Sequence, residues 1–481
     1  MRRPILFLLA ALLSASVHAQ LVRPGEWVVR RADEGVIQEK DLAVIPTKIL
    51  DARGEHDFAV FARYERVMGI RTDREGAEFL KGRGFTVEPN YQFKLLGWRP
   101  SALKEGETPW HLRRIGERAN SAGAFNLLPA SGGVAYVLDT YAYDTEDGAQ
   151  FEGRLVRGPD FVGGSDADFA CRFHGTAMAD LIHQVNPAAR IVTVRVGGCD
   201  ETVSWLAVQG ALDWMADHGA ALYGTGPVNM SFGGSGFTQN PLAKQLARLK
   251  PLGFVMVAAA ANESHDAGTV APCRYSDICV GASDEEDRRV DFSNFGPAVS
   301  IFAPGKDVLF TAMTLDGTGT AVWSGDGTSA STPLAVGVWT LLHGTFPALS
   351  PARITALLLA NATKGDLGDI GAGSPNLLLY AGSVVEQVGT NFFRYIRSDK
   401  KFSARVQLGL NGGVTQSATV AFYRGGKGTD GHCQGKPYAQ ARVDASGFAS
   451  VAVTGWSIPP AKGCFQTELG LVSERQVTVL P

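Results

Sequence analysis

At 481 residues the chain is longer than one ordinary domain, and two or three folded units around a sizeable core are expected. Lys and Arg number 45 against 48 Asp and Glu, a balance that gives no electrostatic reason for nucleic acid or an anionic membrane to be a partner. Fifty-seven Gly beside a hydrophobic share of 45% exclude a disordered or coiled-coil chain and fit a turn-rich globular protein.

The first residues read as an export signal: basic Arg2 and Arg3, an apolar run over 5–13, and Val17-His18-Ala19 as a small-residue cleavage site before Gln20. Residues 1–19 are expected to be removed and the protein to be secreted, extracellular or periplasmic. That run is too short to span a bilayer, and no later segment is long and apolar enough to do so. Residues 20–106 carry mixed charge and no Cys, and ERVMGIRTDREGAEFLKGRGFTVEPNYQFKLL alternates extended and helix-like patterns, which predicts a small α+β unit. RPSALKEGETPW then links this unit to a region of different character.

From Gly132 onward, short apolar runs (VAYVLDT, ARIVTVRV, PVNMSFG, FVMVAAAANE, ICVGAS, VSIFAPG) are separated by helical segments such as SWLAVQGALDWMADHG and PLAKQLARLK. Continuous apolar runs are what strands buried on both faces require. Strand and helix in alternation predict an α/β fold over residues 107–387: a doubly wound, mainly parallel sheet with helices on both faces. Ser350 as N-cap and Pro351 at the first helical position mark a helix over ARITALLLANA. Beyond residue 388 the helical signal stops. Phe402, Ala404, Val406, Leu408 and Leu410 alternate with their neighbours, and ATVAFYR and ASVAVTGW are strand-like, so 388–481 are expected to form a small all-β domain.

Three neighbourhoods carry residues for nucleophilic catalysis. Asp139 closes the run VAYVL, where a carboxylate can face a crevice at the carboxyl ends of parallel strands. His174 opens the helix-like HGTAMADLI. Ser329 lies in GDGTSASTPLAVGVWTLL, a Gly-rich turn running into an apolar helix, so its hydroxyl is expected at a helix N-terminus, where negative charge is favoured. His183 stands nine positions from His174, about 2.5 helical turns, so the two point to opposite faces and only His174 stands at the helix start. Ser324 and Ser331 compete with Ser329 as turn or capping residues; the small-residue frame favours Ser329.

These motifs, in the order acid, His, Ser, resemble the subtilisin family of serine peptidases over about residues 108–386, and GDLGDIGAGSPNLLLYAG resembles its proteinase-K branch. The resemblance implies a subtilisin-like fold and a serine endopeptidase whose triad is Asp139, His174 and Ser329, in VLDT, HGTAMA and GTSAS. It also implies that Asn262 in AAAANES donates to the oxyanion, and that Ser231, Phe232 and Gly233 with Ala259, Ala260 and Ala261 hold the substrate backbone and wall the primary specificity pocket. GFTVEPNYQFKLL resembles the family's inhibitor propeptide, which implies a precursor kept inactive by its own N-terminal unit and cut between Arg99 and Pro109. Four positions depart from the family pattern: Tyr141 and Ala261 replace Gly, Ala330 replaces Met and Leu334 replaces His. The methyl of Ala261 is expected to crowd the pocket and select modest apolar side chains before the scissile bond.

Six Cys in an exported chain are expected to form disulfides, and local pairing favours Cys171 with Cys199, Cys273 with Cys279, and Cys433 with Cys464. No paired CxxC or HExxH unit occurs. No cofactor is required for the chemistry; structural calcium is left unassigned, with Asp144, Asp147 and Asp160 as acids in solvated loops. The expected partners are protein or peptide substrates and the chain's own N-terminal unit, in a monomer. An ester-cleaving α/β-hydrolase is disfavoured because G-x-S-x-G is missing and the acid and His precede the Ser. A binding protein on an inactive scaffold is disfavoured because all three triad residues and Asn262 are present.

Overall fold

The computed structural model describes residues 22–42, 45, 48–51, 54–94, 98–100, 108–116, 132–145, 148–164, 171–235, 241–314, 319–347, 349–381, 385–387, 392–396, 401–410, 419–423, 433, 436–442, 448–454, 462–467, 472–476 and 478–480. The export signal expected at 1–19, Asp147 and most of the connection expected to be cut lie outside these residues.

The N-terminal unit contains β1 (Val22–Arg31), β2 (Ala59–Arg63), β3 (Val67–Arg71), α1 (Arg74–Gly82) and β4 (Phe85–Lys94). Its strands pair antiparallel in the order β4-β1-β3-β2. Helix α1 starts where the Asp73 carboxylate accepts from the Gly76 N–H, satisfying one of the donors that a helix start leaves open. Val29, Met68, Ile70, Ala77, Leu80 and Val87 form the core beneath it. A further short strand, β5 (Trp98–Pro100), leads away from this unit.

The central body comprises α2 (Trp110–Gly116), β6 (Val134–Asp139), β7 (Leu155–Asp160), α3 (Phe173–Val185), β8 (Arg190–Arg195), β9 (Thr202–Ser204), α4 (Trp205–Trp214), β10 (Pro227–Met230), α5 (Pro241–Leu249), β11 (Val255–Ala259), β12 (Ile278–Ser283), β13 (Ile301–Pro304), β14 (Val308–Met313), β15 (Thr320–Gly325), α6 (Thr328–Thr345), α7 (Pro351–Asn361), β16 (Thr363–Lys364) and β17 (Leu377–Leu378). Among the described residues nine strands form one sheet in the order β16-β17-β13-β12-β11-β10-β6-β8-β7. All neighbours in it are parallel except β16 with β17. The apolar runs are divided between its two faces: Ala135 and Val137 enter one core with α3 and α6, while Tyr136 and Leu138 enter the other with α4. Every residue of β10, β11, β12 and β13 is buried, as the lack of alternation in their sequences requires.

Two strand pairings join the N-terminal unit to this body. Strand β9 adds to the edge of β4, with Thr202, Val203 and Ser204 opposite Lys94, Phe93 and Gln92. Strand β5 adds to β15, with Trp98 opposite Gly325 and Pro100 opposite Trp323. Asn90 Oδ1 also accepts from the Leu206 N–H in the first turn of α4, and Trp205 Nε1 donates to Glu88. Burial lifts the Glu88 carboxyl above the usual range. Beside them Arg30, Asp213, Arg248, Asp217 and Arg66 alternate in a ladder of ion pairs, with Arg30 and Asp213 buried.

Beyond the body lie β18 (Val385–Gln387), β19 (Phe392–Ile396), β20 (Lys401–Leu410), β21 (Thr419–Tyr423), β22 (Pro437–Arg442), β23 (Phe448–Thr454), β24 (Lys462–Thr467), β25 (Val472–Gln476) and β26 (Thr478–Leu480). They form one sheet in the order β18-β20-β19-β26, with β23 also on β20, and a second in the order β22-β21-β24-β25. Because β18 pairs with β20, this β-rich part begins by Val385, a little before the expected boundary at 388. The three disulfides join Cys171 to Cys199, Cys273 to Cys279, and Cys433 to Cys464. Among the described residues no helix is long and apolar enough to cross a membrane, and no group of three or more His, Cys, Asp or Glu is placed to hold a metal ion.

Candidate active site

Strand β6 has β8 on one side and β10 on the other, so the sheet's winding reverses at its edge, where a crevice opens at the carboxyl ends of the strands. Asp139, the last residue of β6, is fully buried there. Its Oδ1 accepts from the Thr140 N–H at 2.7 Å, and His174 Nδ1 lies 2.8 and 2.9 Å from its two oxygens. A carboxylate can only accept, so Nδ1 carries the proton and the Nε2 lone pair is left for another group.

His174 is the second residue of α3. The turn before it sits close to the end of β6 because Gly175 follows: a Cβ at Gly175 would stand 2.2 Å from the Thr140 carbonyl. Thr140 Oγ1 instead accepts from the Gly175 N–H at 2.8 Å, which ties the acid's strand to the base's helix. Disulfide Cys171–Cys199 clips the approach to α3 onto the hairpin leading into β9. Further along α3, buried Asp180 accepts from the Thr311 N–H and from the amides of Gln184 and Gln150. Gln184 Oε1 meets Nε2 of buried His111 on α2. Burial pushes Asp180 up to about 6 and His111 down to about 4. His183, on the opposite face, stacks edge-on against Phe151.

Ser329 is the second residue of α6 and is 2% exposed. Pro333 supplies no N–H, so the Ser329 carbonyl lacks its usual helical donor. Ser231 Oγ fills that role at 2.9 Å, and the Ser329 hydroxyl donates back to the Ser231 carbonyl at 2.6 Å. The expected bond from Ser329 to His174 is therefore not formed in this state. His174 Nε2 is buried without a hydrogen-bond partner, and the Ser231 carbonyl holds the hydroxyl proton instead. Of the competing serines, Ser331 donates to the carbonyls of Ala303 and Pro304, and Ser324 lies in β15.

Asn262 follows the carboxyl end of β11 and is only partly buried. Its Oδ1 accepts from both the N–H and the hydroxyl of Thr328, at 3.0 and 2.9 Å, so the amide Nδ2 is the end left to donate. The substrate-binding candidates are not equivalent. The side chains of Ser231 and Phe232 are buried, as are Ala259 and Ala260, so at these positions only the main chain is left to meet a peptide. Gly233 and Ala261 face one another: a Cβ at Gly233 would stand 3.2 Å from that of Ala261 and 3.1 Å from Val270 Cγ1. Ala261 has φ +72°, a left-handed conformation in which Gly is the residue without strain. Tyr141, the other replaced Gly, is buried beneath Arg157, whose guanidinium lies 3.9 Å from the ring centroid. Thr140, Thr328 and Asp180 contact the site's elements and were not expected from the sequence. Thr140 and Thr328 stood inside the motifs VLDT and GTSAS, and Asp180 lay outside the quoted triad motifs.

A doubly wound parallel sheet with a buried Asp–His pair at its switch point and a Ser on the first turn of the central helix defines a hydrolase-type site. The family model for the subtilase family matches residues 128–377. The extracellular serine proteinase of Thermus sp. strain Rt41A is 33% identical over 56% of this chain and 65% of its own length. For alkaline serine exoprotease A of Vibrio alginolyticus the figures are 33%, 56% and 50%. Subtilisin-like protease 2 of Pseudogymnoascus destructans is 31% identical over 78% of this chain and 96% of its own length. The crystal structure of a cold-adapted subtilisin-like serine proteinase, 31% identical, superposes with a TM-score of 0.50 over 56% of this chain and 97% of that one. The chain belongs to the subtilase family.

Proposed function

We propose that the protein is a secreted serine endopeptidase, made as a precursor, that hydrolyses peptide bonds through an acyl-enzyme. The observation that carries this reading is the His174 ring, with Nδ1 committed to both Asp139 oxygens and Nε2 free for a hydroxyl. In the reaction Ser329 turns about its Cα–Cβ bond from the Ser231 carbonyl to Nε2, a motion consistent with the looser geometry of resting sites. His174 takes the proton as Oγ attacks the carbonyl carbon, Asp139 stabilises the imidazolium, and the leaving amine receives that proton. Water then repeats the sequence to release the acid. The Ser329 N–H at the start of α6 and Asn262 Nδ2 are the donors for the oxyanion.

Export is supported by the leading basic and apolar segment, and by a relative named an extracellular serine proteinase. The N-terminal unit fits the role of inhibitor: it occupies the edge of β9 and, through β5, that of β15, which leads into the segment bearing Ser329. The Gly233–Ala261 contact favours substrates with modest apolar side chains before the scissile bond; cleavage mainly after Arg or Lys in a peptide library would contradict this. No cofactor enters the chemistry, and the monomer is the expected working form. The deciding experiment is labelling with a phosphonyl fluoride followed by mass spectrometry. The adduct is expected on Ser329. Casein digestion by a protein whose adduct lies elsewhere would sink the reading.

A further inference from the structure

We infer that Asn294 is the positioning residue for the oxyanion donor Asn262; this rests on the peptidase reading above. Asn294 lies 32 positions beyond Asn262 and is fully buried. It holds the peptide units on both sides of the Asn262 Cα. Its backbone N–H donates to the Ala261 carbonyl at 3.0 Å, which belongs to the unit before Asn262. Its side-chain Oδ1 accepts from the Glu263 N–H at 3.0 Å, which belongs to the unit after it, and from the His265 N–H at 2.9 Å. Its Nδ2 donates to Glu263 Oε2 at 3.1 Å, which fixes the orientation of the amide so that Oδ1 faces the turn. With both flanking peptide planes fixed, the direction of the Asn262 side chain is fixed as well.

The turn needs such a brace. Ala261 at φ +72° and Ser264 at φ +53° are L-residues in the left-handed region, a conformation that persists only when surrounding contacts over-determine it. Asn262 has one side-chain anchor of its own, Oδ1 on Thr328. The Ser264 N–H on the Phe292 carbonyl and the Phe295 N–H on the His265 carbonyl hold the far side of the turn, and the two peptide units flanking Asn262 are held by Asn294. An oxyanion donor acts only within a few tenths of an ångström of its target distance, and a small misplacement costs a large factor in rate. Asn294 touches no reacting atom and acts through Asn262.

The test is a double-mutant cycle on protein purified from expression of the full chain, with kcat and KM measured on a peptide anilide. Asn262→Ala is expected to lower kcat by about a hundred-fold or more. Asn294→Ala is expected to lower kcat by about ten-fold with KM within about two-fold, and to add almost nothing in the Asn262→Ala background. Equal losses in both backgrounds, or an unchanged kcat in Asn294→Ala, would overturn the inference while leaving the peptidase reading intact. An unchanged kcat in Asn262→Ala would remove the oxyanion role and the inference with it. Asn294→Asp combined with Glu263→Gln keeps the acceptor without placing two carboxylates together, and it answers the question if Asn294→Ala fails to fold. It is expected to retain kcat within about three-fold, and a ten-fold loss in a folded protein overturns the inference.

Discussion

The buried chain Asp180–Gln184–His111 makes a prediction about pH that can be worked through. Asp180, buried on α3, stands at about 6 instead of 3.8, and His111, buried on α2, at about 4 instead of 6.5. Burial is the main cause of both shifts. A carboxyl with a raised folded value contributes stability that is complete below about 4 and lost as pH rises to about 6. A histidine with a depressed folded value contributes stability that is complete above about 6.5 and lost as pH falls to about 4. Each is worth about 3 kcal/mol across its window. The two windows overlap and the signs oppose, so the contributions nearly cancel in the native protein. Removing either partner uncovers the other. Relative to the parent, His111→Gln should lose about 3 kcal/mol as pH rises from 4 to 6.5, and Asp180→Asn should gain about 3 kcal/mol from 4 to 6. At about 2 °C per kcal/mol for a body of this size, each slope amounts to about 6 °C in Tm. The assay is thermal unfolding in a Ser329→Ala background, which prevents self-digestion. Slopes of the same sign in the two variants, or none in either, would refute the coupling.

Three further outcomes are expected. Ala261→Gly relieves a left-handed alanine and removes the methyl facing Gly233, so larger apolar side chains before the scissile bond should gain about 1 kcal/mol, or about five-fold in kcat/KM, in a competition between Phe and Ala substrates. Arg30→Ala leaves buried Asp213 with Arg248 alone. It should loosen the N-terminal unit by about 3 kcal/mol, read as faster amide exchange in β4 with the central body unchanged. The full-length Ser329→Ala chain should remain uncut where the parent yields a new N-terminus between Arg99 and Pro109, and N-terminal sequencing distinguishes the two.

The central sheet was legible because strands buried on both faces must be apolar throughout, and VAYVLD or ICVGAS carry that pattern without reference to distant residues. The positions of Asp139, His174 and Ser329 were legible for a related reason, since each stands where an apolar element begins or ends. What stayed hidden depends on pairings across long stretches of chain. Strands β5 and β9 have three residues each, too few for a period to register. Asn294 is a single polar residue whose three side-chain bonds all reach back to 263 and 265. SWLAVQGALDWMADHG read as one helix, which it is, but nothing in it announced that the turns widen over Met215–Gly219 before the helix runs on through Ala220–Tyr223. The left-handed turn at Ala261 was masked by a residue type that ordinarily signals regular structure.

The Cys171–Cys199 bridge has a consequence for where the molecule can work. It spans 28 positions, and closing such a loop restricts the unfolded chain by about 3–4 kcal/mol. One end sits three residues ahead of His174, the other at the tip of the hairpin that leads into β9. Under thiol-reducing conditions the two sulfurs stay apart and the helix bearing the imidazole lacks its covalent tie; oxidising surroundings supply it.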